Sequence, residues 1–263
     1  TPRVDCYVTN HGATQTPGHL NISGSSYIYF SVLNGRYDSS QSNLHSASLT
    51  LLKNSQFSMS GGNLIFENTQ FQTGNCFKEL NGMILGGIDN INAQPVYTPI
   101  SYNVTGGNIY VKSAAISEFR IYGADMQFNR FVVQNGAKVK FIGDNSGANR
   151  VTENVYIKNA LSSEGNGSSI DASYFNNLYI EKNLEIKAGA TIITPMVLNF
   201  SGNSNGTYKD ATNSVVWKNV VVNKTSNSRY IEVSNGNTLK MNGNLTSVSG
   251  SMRGSVEMCG SEL

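Results

Sequence analysis

Five carboxylates crowd one stretch of the chain, Glu153, Glu164, Asp171, Glu181 and Glu185. Two carboxyl groups about 5 to 9.5 Å apart are all that a glycoside hydrolase requires. Glu181 and Glu185, four apart along one strand, would stand roughly 13 Å apart, so a working pair has to come from neighbouring strands. The tyrosines offer a second chemistry. Tyr110, Tyr156 and Tyr179 each precede a charged residue by two positions, Lys112, Lys158 and Glu181. A regular row of aromatic faces suits an extended sugar ligand or a protein surface, although a β-sheet also favours Tyr at half-buried positions for packing alone. Tyr27 and Tyr29 carry the same two readings.

Other chemistries lack their residues. HExxH, Cys-x-x-Cys, a phosphate-binding P-loop and Gly-x-Gly-x-x-Gly after a strand are all missing. The three histidines stand at positions 11, 19 and 45, which leaves no His for a nucleophilic or metal site further along the chain. The calcium-binding Gly-Gly-x-Gly-x-Asp repeat and a regular Thr-x-Thr file are absent as well. No cofactor, no metal and no catalytic set are expected.

The elements that carry these residues are repeated. Asn154-Val-Tyr-Ile-Lys158 and Asn177-Leu-Tyr-Ile-Glu181 lie 23 residues apart, with Asn108-Ile-Tyr-Val-Lys112 and Asn63-Leu-Ile-Phe-Glu67 before them. The gaps read as one, two and two multiples of about 23. A missing copy is expected near residue 130, where Arg130-Phe-Val-Val-Gln134 fits the same slots. A second phrase, apolar, two residues, Gly, two residues, apolar, recurs at 133–139, 186–192 and 233–239. Gly at a fixed place between two strands marks a tight corner. A fixed period in this range is the mark of stacked repeats, none of which buries its apolar face alone.

Composition agrees. The 34 Asn, 32 Ser and 26 Gly make up about a third of the chain, and seven Asn-Gly pairs supply residues that tolerate positive φ. The reading is an all-β, right-handed parallel β-helix (solenoid) with rungs of about 23 residues. Residues 1–62, with the alternating strand Tyr27–Val32, form an N-terminal cap. Residues 63–250 form the solenoid, with a loop interrupting the rung at 81–101, and residues 251–263 form a loose or truncated tail. Neighbouring rungs lie about 4.8 Å apart, so repeated letters become columns. Leu64, Phe66, Ile109, Val111, Val155, Ile157, Leu178 and Ile180 should face inward. Tyr110, Tyr156 and Tyr179 should form an outer file, with Tyr156 against Tyr179, Lys158 against Glu181, and Asn154 over Asn177 as an amide ladder.

Charge is sparse, 14% of residues with a net charge of +2, so electrostatics favour neither nucleic acid nor an acidic membrane as partner. No apolar run is long enough for a membrane helix. The start at Thr1-Pro2-Arg3 suggests a processed chain or a fragment. Of three cysteines, a Cys6–Cys76 disulfide would close a loop of about 70 residues, stabilising by roughly 4 kcal/mol in an oxidising compartment and leaving Cys259 over. Three buried thiols are the alternative. Seven Asn-x-Ser/Thr triplets are acceptors for glycosylation in a eukaryotic source.

Ser60-Gly-Gly-Asn-Leu-Ile-Phe-Glu-Asn-Thr-Gln-Phe71 and Asn135-Gly-Ala-Lys-Val-Lys-Phe-Ile-Gly143 resemble the β-helical passenger segments of bacterial autotransporters, including the vacuolating-toxin-like group. The likeness spans residues 47 to 248. Fungal wall adhesins and phage tail spikes share the style. The resemblance implies a rigid extracellular stalk that displays or forms a binding surface. The expectation is therefore a secreted or cell-surface adhesin holding a glycan or a host surface protein. A tail-spike-like polysaccharide depolymerase using Glu181 or Asp171, or a purely structural stalk, are the alternatives.

Overall fold

The computed structural model describes residues 19–32, 48–51, 55–68, 81–85, 87–91, 94–98, 100–112, 116–121, 125–143 and 154–260. They are all-β. No helix among them is long and apolar enough to cross a membrane. Every described strand pairing except one is parallel.

Three ladders account for the parallel pairs. The first runs through His19–Ile22, Gln56–Met59 and Ser101–Val104. It has a second stretch made of the first half of Asp125–Val133, the first half of Asn154–Ser163, then Asn177–Ile180, Val197–Gly202, Asn219–Lys224 and Leu245–Ser249. The second ladder takes Tyr27–Val32, Asn63–Asn68, Asn108–Val111, the second halves of the two long strands, Asn183–Ile186, Gly206–Asp210, Tyr230–Val233 and Ser251–Arg253. The third holds Ser48–Leu51, Asn81–Leu85, Ile116–Ile121, Lys138–Gly143, Ser169–Asp171 and Thr191–Ile193, then Val216–Trp217, Thr238–Met241 and Ser255–Met258. The chain visits the ladders in the order first, second, third, and begins again.

The step between equivalents is set by register: Asn154 pairs with Asn177 and Asn108 with Arg130. Arg130–Gln134 is thus the copy expected from spacing. Other steps are longer: 36 residues from Tyr27 to Asn63, 30 from Arg130 to Ala160, and 45 from Asn63 to Asn108. These two asparagines are direct neighbours, so the interval is one enlarged repeat rather than two. The extra length includes an antiparallel hairpin of Gly87–Ile91 and Gln94–Thr98, within the segment read as an interrupted rung.

Alternation along each strand sends one side chain in two inward. All eight residues expected to face inward are at most 1% exposed. The core is one continuous cluster drawing on all three ladders. Its centre is aromatic: Phe119 packs edge-on against Phe66 and Phe131, with ring centroids 5.3 and 4.9 Å away, and touches Phe128 and Phe141. Further on, Trp217 Nε1 donates to the Tyr208 hydroxyl at 3.1 Å, so both large polar-tipped rings are buried and satisfied. Slot three is not uniformly outside, because Ile65 is buried at 3%.

The corner phrase is borne out. Gly136, Gly189 and Gly236, between second and third ladders, have φ of 75°, 78° and 76°. Residues 251–258, expected as a loose tail, are paired strands, with the last of them exposed along its length.

Among the described residues two charged side chains are buried, Asp210 and Lys224. Lys224 is 2% exposed, and its Nζ donates to the Glu181 carbonyl at 2.6 Å and to the Ser201 carbonyl. Burial pushes its ammonium down to about 8, the Glu181 charge acting in the opposite sense. Between pH 8 and 10.5 the unfolded chain therefore binds more protons than the folded one, and stability rises with pH across that window. A Lys224→Met variant should lose the rise, read as urea midpoints at the two ends of the window. An equal rise in both proteins would place the titration elsewhere.

Candidate functional site

The tyrosines expected as one file occupy two ladders. Tyr156 and Tyr179 pair in the first, their rings stacked 4.4 Å apart at 12°. Burial, then the Asp125 charge, then Tyr179, push the Tyr156 phenol up to about 12. Beside them runs the expected amide ladder. Asn154 Nδ2 donates to Asp125 Oδ1 at 2.8 Å, Asn177 to Asn154 at 2.9 Å, and Asn199 to Asn177 at 3.1 Å. Because each ring lies flat on the other, the pair turns edges and hydroxyls outward rather than open faces.

Tyr110 belongs to the second ladder, between Ile65 and Val132. The reason for the split is a shared grammar: strands of either ladder start with Asn at a corner and alternate from there, so the same five letters serve both. Tyr29 stands over Ile65 in the same column. Tyr27 and Tyr29 stack loosely at 6.5 Å and 19°, with Tyr27 half exposed. Lys112 is exposed. Lys158 does not meet Glu181: its Nζ donates to the Val104 carbonyl at 2.7 Å. At the corner where Asn154–Ser163 changes ladder its side chain reaches along the stack, not across to the next strand. Cys6 and Cys76 lie outside the described residues, and Cys259 is a free thiol.

The second ladder carries concave surface. Its outward columns are uneven. Tyr110, Val132, Ser162, Glu185 and Lys209 follow one another in register, as do Asn108, Arg130, Ala160, Asn183 and Thr207. Where short Val132, Ser162 and Ala160 stand between long neighbours, the surface sinks. Two open clefts result, of about 290 Å3 and about 420 Å3. Arg130 lines both. Tyr110 and Val132 line the larger with Gln134 and Glu164; Ala160, Ser162, Asn183 and Glu185 line the smaller. Sequence reading missed Arg130 as a site residue, although it placed the strand. The available signal was a cation in a slot otherwise held by Asn.

Four of the five carboxylates are described; Glu153 is not. Asp171 accepts from the Ser173 amide at 3.0 Å and from its hydroxyl, a local turn. Glu181 sits at a corner under Gly202. Glu164 and Glu185 edge the clefts, but each is tied to a lysine one strand on: Glu164 to Lys187, and Glu185 to Lys209 at 3.0 Å. Burial pushes the Glu164 carboxyl up, yet its bond with Lys187 and the charges of Lys187 and Arg130 hold it below the usual value. A general acid needs the opposite shift. The arrangement suits holding a polar ligand better than cleaving one. Among the described residues no cluster of His, Cys, Asp or Glu could bind a metal ion.

No protein-family model, no curated protein and no solved structure matches the chain.

Proposed function

We propose that the chain is a right-handed parallel β-solenoid of about 23 residues per turn, acting outside the cell as an adhesin-type binding module that holds a glycan on an outer face, in the manner of an autotransporter passenger. The winding is supported by three parallel ladders visited in constant order around one core. The function is carried by one observation. Two adjoining clefts on the second ladder combine an aromatic wall, Tyr110, with converging amide, carboxylate and guanidinium groups. Aromatic surface for a sugar ring and planar polar groups for its hydroxyls are the ordinary means of orienting a polar ligand in an open site. A glycan microarray tests it. Wild type should give discrete hits, reduced roughly tenfold or more by Tyr110→Ala and by Ala160→Gln, which fills the smaller cleft. Tyr156→Ala should leave the hits in place. No hits, or hits indifferent to both cleft variants, would remove this function and leave a structural stalk.

A further inference from the structure

We infer that the clefts around Arg130 select a sugar bearing a carboxylate, the guanidinium taking the carboxylate while Tyr110 supports the ring. This rests on the glycan reading above and narrows it to a ligand class.

Charge pairing across the strands is the first ground. The acidic residues at the rims are each matched, Glu164 by Lys187 and Glu185 by Lys209. Arg130, which lines both clefts, has no ion pair or hydrogen-bond partner among the described residues. In and beside the recess three cations, Arg130, Lys187 and Lys209, therefore face two carboxylates, with Arg130 sharing the charge of Glu164. A guanidinium presents a planar fork that matches a carboxylate bidentately, unlike the point charge of a lysine ammonium.

The position of Arg130 is the second ground. Its slot in register is that of Asn63 and Asn108, and these two stack amide on amide, Asn108 Nδ2 donating to Asn63 Oδ1 at 2.9 Å. Arg130 breaks that ladder, and Ala160 after it offers nothing to bond the guanidinium. Arg130 instead lines the smaller cleft together with Ala160.

The remaining polar groups suit hydroxyls. Ser162 belongs to the floor of the smaller cleft, its Oγ covered and near enough to Glu164 to help hold that charge. Asn183 uses its Oδ1 to accept from the Thr207 amide and hydroxyl at 3.2 and 3.0 Å, which leaves its Nδ2 to donate. Each cleft is of the order of the smallest ligand sites, roughly 300 Å3, so the two together take a short oligosaccharide rather than a long helix or a folded protein.

The experiment uses two acid and neutral pairs with the same rings: trigalacturonate against its methyl ester, and 3′-sialyllactose against its methyl ester, titrated calorimetrically into the full chain. In at least one pair the acid should bind roughly tenfold or more tightly than its counterpart, the scale of one charge-assisted pair. Arg130→Gln should abolish that preference, weakening the acid roughly tenfold or more and the neutral sugar by a smaller factor, with the circular dichroism spectrum retained. Ala160→Gln, which keeps the arginine but fills the space beside it, should weaken the acid as well. If acid and neutral forms bind alike, or Arg130→Gln keeps the preference, the inference is wrong and the glycan reading stands. If no probe binds, the inference falls, and the microarray judges the broader reading separately.

Discussion

Phe119→Ala should cost about 3 to 5 kcal/mol of folding free energy, the largest loss expected from any single side chain in this protein. The ring is fully buried, and its neighbours come from every ladder: Phe66 and Phe131 from the second, Phe128 from the first, Phe141 from the third. Truncation removes the apolar transfer of a whole ring and leaves a cavity whose walls are other rings. Those rings are anchored on paired backbone strands, so the hole cannot collapse cheaply. The loss also falls between repeats, and in a stack where each repeat touches mainly its neighbours such a break uncouples the two sides. Urea unfolding should show a lower midpoint, and two transitions if the uncoupling is complete. Tyr156→Ala, on the outside, is the control and should cost far less. A Phe119→Ala protein within about 1 kcal/mol of wild type would mean that the rings do not meet as described.

Gly107→Ala is expected to be nearly as harmful, and for a reason of backbone rather than volume. Gly107 turns the corner between the first and second ladders with φ of 80°, which costs any other residue about 1 to 2 kcal/mol. A Cβ there would also stand 2.5 Å from both the Gly61 carbonyl oxygen and Met59 Cε in the turn below. Met59 can move; a carbonyl locked in the neighbouring corner cannot. Overpacking adds about 1 to 3 kcal/mol, for a total of roughly 2 to 5 kcal/mol. Gly136 separates the two contributions. Its φ is 75°, but nothing lies within 4 Å of its would-be Cβ, so Gly136→Ala should lose only the left-handed cost, about 1 to 2 kcal/mol. Thermal unfolding of both variants measures the difference. Equal losses would show that the corners are not stacked closely enough for the clash to matter.

The alternation of apolar and polar residues, the recurring Asn-apolar-x-apolar phrase and the spaced glycines determined, from the sequence alone, that this chain is all-β, that its strand phrases recur, and which side chains of slots two and four are inside. These are local properties: a strand's period of two and a corner's need for positive φ are written within a few residues of each other. The Asn154–Asn177 ladder and the Tyr156–Tyr179 stack were legible for the same reason, since equal letters one repeat apart become neighbours. Which ladder a phrase joins was not legible. Asn63 and Asn108 look like Asn154 and Asn177, yet they pair on a different ladder, because both corners impose the same preferences and a 45-residue interval reads equally well as two repeats or as one holding a hairpin. The candidate site was hidden by the same ambiguity. A cleft forms where short Val132, Ser162 and Ala160 fall between Tyr110, Arg130, Asn183 and Glu185 on successive strands, and only register across the ladder, a tertiary property, decides which residues are neighbours and hence where the surface sinks and which cation lines it.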